Sequence, residues 1–267
     1  MSPRNPSAGA VITLFVVLAL IAWSWRSCWY ATPLSTEEIQ SRLESPKSPN
    51  EVQKALVQVK DRLEEKGADT ERFLPAVMAL TANPTPQIRS TVAWVLGAAP
   101  DTEEVTASLK ALLDDEDLSV RYNAACSLAA HGNDAGHDVL ITMLAPTTVR
   151  SPTEGVFRNP RATEKWVRRG QILGRVETPK GEIDVVAPLD GRLIRRVHAH
   201  GDVVKEGEPL VEIDPSPGQI ENALYALGRV GTREDMSAVR EIAEGARNIT
   251  AGTRAVARRV LQALGSR

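Results

Sequence analysis

Lys180 is the residue of this sequence with the clearest potential for covalent chemistry. It stands in the stretch ETPKGEIDVVAP, residues 177–188, eight residues before the proline of an Ala-Pro pair. Pro179, Lys180 and Gly181 suit positions i+1 to i+3 of a type I turn, so we predict a β-hairpin with Lys180 at its tip. Two interpretations follow: a swinging arm that carries a covalently attached cofactor, or an ordinary solvated turn lysine.

The stretch HAH, residues 198–200, is the second candidate for chemistry. On a strand, His198 and His200 would share one face and form a metal-binding pair. A catalytic zinc site needs a third protein ligand, and the other histidines, His131 and His137, fall in helical segments. We therefore expect no metal site, and a metal-dependent hydrolase is the weakest of three hypotheses.

The remaining motifs argue against enzyme chemistry in this chain. The sequence contains no Ser-His-Asp constellation, phosphate loop or HExxH motif. Cys28 and Cys126 have neither metal-ligand nor redox spacing, and Cys126 lies in an Ala-rich helical pattern typical of a small buried residue. We predict a protein that is not an enzyme by itself, with an accessory or carrier subunit of an enzyme complex as the alternative.

Composition indicates a folded chain without a nucleic-acid partner. Hydrophobic residues make up 42% of the 267 residues and charged residues 25%, which is enough to bury a core. The formal net charge is -2, and neither half of the chain is strongly basic. Nucleic-acid binding is therefore not expected.

Residues 8–25, AGAVITLFVVLALIAWSW, are 18 uncharged residues and meet the lower limit for a transmembrane helix. Aromatic residues at its far end resemble an interfacial belt, and they are Trp23, Trp25, Trp29 and Tyr30. We predict an uncleaved single-pass membrane anchor, with a cleaved signal peptide as the alternative. Arg4 before the segment and Arg26 after it favour an extracytoplasmic or periplasmic location for the rest of the chain.

The chain between this segment and the C-terminus contains an internal helical repeat. VAWVLG, residues 92–97, is matched 32 residues later by AACSLA, residues 124–129. The signature returns 99 residues after that as ALYALG, residues 223–228, and once more as VLQALG, residues 260–265. A period of about 32 with two helices per unit predicts an α-solenoid, and the surplus of 67 residues predicts an insertion between two repeats.

The inserted segment, residues 149–214, is β-rich and contains two similar halves. SPTEG at residues 151–155 matches APLDG at a shift of 36. VRRGQILGRVE at residues 167–177 matches VKEGEPLVEID at a shift of 37. We predict a small β-domain with quasi-two-fold symmetry, whose central hairpin carries Lys180.

Two family resemblances follow from these residues. The helical units resemble HEAT repeats of the short, bilin-lyase-like type over residues 71–144 and 218–264, best in DDEDLSVRYNAACSLAAHGND at residues 114–134. That resemblance implies a curved scaffold that binds protein partners. The third repeat departs from the pattern because it lacks the Val-Arg arginine.

The insert resembles a biotinyl/lipoyl attachment domain, the barrel-sandwich hybrid, through Gly201-Asp202-Val203 followed by Gly207-Glu208-Pro209-Leu210. The resemblance implies biotin or lipoate on Lys180, whereas its neighbours Pro179 and Gly181 depart from the residues that flank modified lysines in that family. We expect no cofactor, with biotin or lipoate on Lys180 as the alternative.

Together these observations predict a multidomain α + β protein: an α-solenoid of HEAT-like repeats, an inserted all-β barrel-sandwich hybrid and one N-terminal transmembrane helix. We predict a membrane-anchored, non-enzymatic adaptor that binds protein partners, with an envelope transport or secretion assembly as its setting and a biotin or lipoate carrier as the alternative. A small-molecule ligand is left open. The predicted segments are a tail at 1–7, the anchor at 8–25, a linker at 26–50, solenoid at 51–146, the β-insert at 147–216 and solenoid at 217–267.

Overall fold

The computed structural model describes residues 32–67, 70–158, 165–245, 247 and 249–266. Their α-helices, in chain order, are α1 Thr36–Glu44, α2 Pro49–Glu64, α3 Leu74–Ala79, α4 Pro86–Leu96, α5 Glu103–Ala111, α6 Leu118–Ala130, α7 His137–Leu144, α8 Pro217–Val230, α9 Met236–Glu244 and α10 Ala251–Gly265. Short 3-10 helices cover Thr70–Phe73, Leu80–Ala82, Leu112–Asp114 and Arg233–Asp235.

Between α7 and α8 the chain forms two antiparallel sheets of four strands each, here called the β-segment. The strands are β1 Thr147–Arg150, β2 Gly155–Arg158, β3 Trp166–Val167, β4 Ile172–Thr178, β5 Gly181–Val186, β6 Gly191–Arg196, β7 Val203–Val204 and β8 Pro209–Pro215. One sheet has the order β1-β8-β6-β3 and the other β5-β4-β2-β7.

Alternate helices form one stacked layer. α2 packs against α4, α4 against α6, α6 against α8 and α8 against α10. The intervening helices α5 and α7 pack against α6, and α9 packs against α10. This alternation of two helices per unit is the arrangement that the 32-residue period predicts.

Local sequence explains where individual helices begin. Ser35 caps α1 in a capping box: its hydroxyl accepts from the Glu38 backbone N–H, and the Glu38 carboxylate accepts from the Ser35 N–H at 2.8 Å. Ser216 and Gln219 form the same motif at the start of α8. Each box satisfies backbone donors that a helix N-terminus leaves without an intrahelical partner.

An arginine of one repeat, Arg89, bonds to the next repeat, whereas its equivalent Arg121 bonds within its own repeat. Arg89 donates to both carboxylate oxygens of Asp115 in the next repeat, at 2.6 and 2.8 Å, and to the Asn83 carbonyl oxygen at 2.9 Å. Arg121, at the matching position 32 residues later, donates instead to the carbonyl oxygens of Asp115 at 2.5 Å and Glu116 at 3.1 Å. Burial raises the pKa of Asp115, but hydrogen bonds from Arg89 and from the Asp117 N–H outweigh burial and lower it overall.

The hydrophobic core consists of two clusters. The first covers α1 to α6 and includes Ile39, Leu56 and Phe73. The second joins residues of α6 and α7 to both sheets and to α8, α9 and α10, and includes Leu140, Phe157 and Leu227. The β-segment therefore shares one core with the helices on either side of it.

The two halves of the β-segment repeat each other in three dimensions, as the sequence predicts. The four strands β1, β8, β6 and β3 of the first sheet correspond, in that order, to β5, β4, β2 and β7 of the second sheet. Each strand thus has its equivalent four strands away in the chain. The Ser151 N–H donates to the Glu208 carbonyl oxygen at 2.8 Å, and the Ala187 N–H donates to Gln171 in the same way at 2.9 Å. A Cβ atom at Gly191 would overlap the Asp214 carbonyl oxygen, because strands β6 and β8 approach closely there.

The predicted fold class requires a correction at the membrane helix. In the described ranges, no helix is long and apolar enough to cross a membrane. The longest of them, α2, has 16 residues with charged side chains among them, whereas a membrane-spanning helix needs about 20 consecutive apolar residues. This finding contradicts the predicted fold class, which included one transmembrane helix. It also contradicts the predicted localisation as a single-pass membrane protein with its remaining chain on the extracytoplasmic side. Residues 8–25 themselves lie outside the described residues, as do Cys28 and the tail 1–7.

Two local expectations are also corrected. The predicted linker 26–50 contains α1, whose Ile39 and Leu43 are buried against the helices that follow. The sequence NEVQKALVQVKDRLEEKG also predicts Gly67 as the C-cap of α2. In the structure the residue before it, Lys66, takes the left-handed conformation with φ of 52°.

Candidate functional site

A groove crosses the stacked layer of helices and is lined by residues of α2, α4, α6 and α8 together with Lys66, just after α2. It encloses about 510 Å³. We call it the repeat groove, and its most informative lining residues are Lys60, Lys66, Trp94, Cys126, Tyr225 and Arg229. α6 and α8 contribute the same face to the repeat groove: Asn123, Cys126, Ser127 and Ala130 each have their equivalent 99 residues later, at Asn222, Tyr225, Ala226 and Arg229.

Trp94, Cys126 and Tyr225 occupy one equivalent position in three repeats. They are the third residues of VAWVLG, AACSLA and ALYALG, separated by 32 and 99 residues. Since equivalent positions of stacked repeats align across the layer, the three side chains form a row along the groove. Trp94 is 42% exposed and Tyr225 55% exposed, which is unusual for large aromatic side chains.

Small residues form the floor of the repeat groove. A Cβ atom at Gly97 would lie 2.5 Å from the Ser127 hydroxyl oxygen, so only glycine allows α4 and α6 to approach this closely. The Ser127 hydroxyl donates to the Ala93 carbonyl oxygen at 2.8 Å across the same helix pair. These small residues leave a low floor between the exposed rings of Trp94 and Tyr225.

The charged side chains of the repeat groove are mainly basic. Lys60 lies over the Trp94 ring, 4.3 Å from its centroid, and pairs with Glu64 at 2.5 Å. Lys66 is exposed at the end of α2, and Arg229 donates to the Ala130 carbonyl oxygen at 2.8 Å. Three cations against one carboxylate, Glu64, leave the lining with a positive balance.

Cys126 does not supply a nucleophile to this groove. Burial raises the pKa of its thiol to about 12, so the thiol stays protonated at neutral pH. The thiolate is the reactive form, and Cys126 is accordingly a packing residue in this groove.

The structure places Lys180 at the tip of the β4–β5 hairpin. Thr178 pairs with Gly181, which leaves Pro179 and Lys180 as a two-residue turn, and the Thr178 hydroxyl accepts from the Lys180 N–H at 3.1 Å. The lysine is exposed and borders an open cleft of about 420 Å³ with Glu154 and Ile183. An exposed tip lysine suits both interpretations made from the sequence.

His198 and His200 do not lie on a strand. β6 ends at Arg196, and both histidines follow it in the loop before β7. His198 contacts the carboxylates of Asp202 at 3.5 Å and Glu208 at 3.8 Å. The part of the chain that the structure describes holds no group of three His, Cys, Asp or Glu side chains that could hold a metal ion.

Two polar contacts fix the β-segment and the repeats against each other. Arg169 pairs with Asp117 at the start of α6 at 2.7 Å and donates to the Gln87 side chain at 3.1 Å. Arg247 pairs with the buried Asp214 at the end of β8 and donates to the Leu144 carbonyl oxygen. Both contacts join residues that are far apart in the chain.

A third contact joins α7 to the turn after α8. His137 Nε2 lies 2.8 Å from the carboxylate of Asp235, which is buried. This hydrogen bond raises the pKa of His137, and burial opposes it only in part. The pair therefore favours a charged imidazolium in the folded protein.

Comparison with known proteins supports the helical part of this description. Residues 74–153, less than half of the chain, match the family model for HEAT repeats. No curated protein matches the chain. The HEAT-like resemblance is thus confirmed, and HEAT repeats suggest a protein-interaction solenoid. The resemblance of the β-segment to attachment domains stays a prediction.

Solved structures include two similar chains. One is the complex of CpcE and CpcF of phycocyanin lyase from Nostoc sp. PCC7120, with a TM-score of 0.48 and 16% identity, covering 89% of this chain and 67% of that chain. The other is a single-chain, multi-domain long-chain acyl-CoA carboxylase, with a TM-score of 0.25 and 19% identity. The match covers 32% of this chain and only 10% of the carboxylase chain. At these values neither likeness bears on the activity of this chain.

The row of Trp94, Cys126 and Tyr225 was missed by reasoning from the sequence about sites, although its signal was present. The repeat alignment itself places an aromatic residue, a cysteine and a second aromatic residue in register. What the alignment lacked was the direction of these side chains, which decides between core and groove.

Proposed function

We propose that this protein is a non-enzymatic scaffold whose repeat groove binds a partner protein. The observation that carries the proposal is the exposure of Trp94 and Tyr225 at one equivalent repeat position, on either side of a floor of small residues. Exposed aromatic side chains beside a concave surface are typical of the anchor sites of protein interfaces. The HEAT-repeat match supports the same conclusion.

The β-segment offers two exposed strand edges as further contact sites. Trp166 and Val203 begin the edge strands β3 and β7 at symmetry-related positions, 37 residues apart, and are 47% and 71% exposed. Strand edges with exposed apolar side chains are ready for pairing with another chain. We propose that one partner occupies the repeat groove while another contacts the β7 edge at Val203.

Site-specific photo-crosslinking in the native host tests the scaffold. A photoreactive residue at Tyr225 or at Val203 is expected to capture a distinct protein at each position. Ala107 on α5 is the matched control, because it is exposed and lies outside the repeat groove. Equal capture at all three positions would reject the proposal that different partners contact the repeat groove and the β-segment.

Deleting the β-segment would be a poor test of the same idea. Phe157, Val176 and Leu210 belong to the core cluster that includes α6 to α10. Removing them would expose the helices that they cover, so loss of a partner would not be specific. Single changes at exposed positions such as Val203→Asp avoid this difficulty.

A second candidate function is favoured by the position of Lys180. An exposed lysine on a two-residue hairpin tip is accessible to a modifying enzyme, and its amine could form an amide with biotin or lipoate. Intact mass of the protein from its native host tests this carrier hypothesis. The added mass must be absent in a Lys180→Arg variant, and an unmodified wild-type chain rejects the hypothesis.

A further inference from the structure

The charge of the repeat groove points to the chemistry of its occupant. We propose that the groove binds an acidic peptide segment that carries an apolar anchor side chain. This inference rests on the proposed scaffold function and adds the class of partner to it. The chain as a whole has a formal net charge of -2, so the basic lining is a local property and not a general one.

The apolar part of the site is the row through Cys126. Trp94 and Tyr225 stand on either side of the half-buried Cys126 and expose about half of their surfaces. A leucine or aromatic side chain placed over Cys126 would lie between the two rings and above the small floor residues. Removing such a side chain from water makes it the apolar anchor of the complex.

The basic part of the site lies at the rim. Glu64 is paired with Lys60, which in turn lies over Trp94, so the single carboxylate of the lining is already neutralised. Lys66 and Arg229 are exposed. A carboxylate-rich segment complements these cations, whereas a basic segment would be repelled by them.

The backbone at Lys66 supports a role for this lysine. Its φ of 52° lies in the left-handed region, which glycine or asparagine adopts more easily than lysine. Gly67 follows immediately, so a glycine stands one residue beyond the position where it would remove the strain. The left-handed turn ends α2 with a cation at the groove rim.

Peptide display tests the proposal without knowledge of the natural partner. Random 12-residue peptides displayed on phage are selected on the full-length wild-type protein in the presence of excess soluble Tyr225→Ala variant. Enriched peptides are expected to carry a net negative charge and at least one large apolar residue. Enrichment of neutral or basic peptides, or no enrichment over the variant, would overturn the proposal.

Affinities of the synthesised winning peptides provide the second readout. Tyr225→Ala should weaken binding roughly 10-fold or more, and Tyr225→Phe should restore most of it, because the ring supplies the contact. The double variant Lys66→Glu with Arg229→Glu should weaken binding about ten-fold and flatten its salt dependence. Unchanged binding in either case contradicts the assignment.

The results distinguish failure of the acidic-peptide proposal from failure of the proposed scaffold function. If photo-crosslinking at Tyr225 captures a partner while the selected peptides are basic, the groove binds protein but not acidic segments. If selection enriches acidic peptides that ignore Tyr225, the groove is not their site. Thermal unfolding of each variant shows that loss of binding is not loss of fold.

Discussion

Arg89 is expected to stabilise the repeats far more than its repeat equivalent Arg121. Its guanidinium makes two charge-assisted bonds to Asp115, at 2.6 and 2.8 Å, and both side chains are less than one-tenth exposed. Arg89→Ala would leave the Asp115 carboxylate buried without its cation. Breaking such a buried pair on one side costs about 3–5 kcal/mol.

Arg121→Ala is the matched control. Arg121 donates to two backbone carbonyl oxygens and forms no carboxylate pair in the described structure. Hydrogen bonds of this kind contribute about 0.5–1.5 kcal/mol each, or more from a charged donor, so the control should lose less stability. The difference between the two variants isolates the contribution of the ion pair.

Circular dichroism during thermal unfolding measures both variants. A loss of 3 kcal/mol corresponds to a fall in Tm of roughly 6–12 °C for a chain of this size. A double-mutant cycle with Asp115→Asn separates the pair from the packing of the arginine stem. Equal falls in Tm for Arg89→Ala and Arg121→Ala, or no coupling in the cycle, would refute the reasoning.

The same pair sets a pH dependence with a defined sign. Because the pKa of Asp115 is lowered in the folded protein, its contribution to stability is present above the unfolded value of about 3.9. That contribution is lost as the pH falls through the lower folded pKa. The gap in Tm between wild type and Arg89→Ala should therefore narrow in acid.

Three further predictions concern the packing and titration of single residues. Gly191→Ala should destabilise the protein by about 1–3 kcal/mol, because the new Cβ atom would overlap the backbone of β8. Gly218→Ala, at a helical position with open space around it, should be neutral or stabilising. The free energy of unfolding in urea distinguishes the two variants. NMR titration should show the pKa of His137 above 6.5 in the wild type and lower in Asp235→Asn. The stability that this pair contributes is complete below pH 6.5 and is lost as the pH rises through the raised pKa. A His137 pKa at its ordinary value would contradict the prediction. Cys126, with a pKa of about 12, should react with iodoacetamide at pH 8 roughly a thousand-fold more slowly than a free thiol. Rapid labelling of this residue, measured by mass spectrometry, would contradict the raised pKa.

The features that the sequence predicts best are those in which a local pattern repeats. The spacing of 32 residues between VAWVLG and AACSLA predicts stacked helix pairs, and the surplus of 67 residues predicts the position of the β-segment. The paired shifts of 36 and 37 predict its two similar halves. Each repeated unit is itself encoded in residues close to one another in the chain, because turns and amphipathic faces are local properties.

The same reasoning failed where a residue depends on its surroundings. His198 and His200 were placed on one strand face, but β6 ends at Arg196. Gly67 was expected to cap α2, but the residue in the left-handed conformation at the end of that helix is Lys66. The end of an element depends on tertiary packing as well as local sequence, so it is the least certain feature of a sequence pattern.

The sequence by itself determined the repeats, the two-fold β-segment and the placing of Lys180 on a hairpin tip. Only the tertiary structure decided which repeat residues face the groove and which acids the arginines reach. Asp214 is the repeat equivalent of Asp115, but it pairs with Arg247 and not with Arg121, because the inserted sheets bring it against Arg247. Trp94 and Tyr225 likewise form one site only because their side chains face the groove that α4, α6 and α8 line, and the sequence repeat does not encode the direction of a side chain.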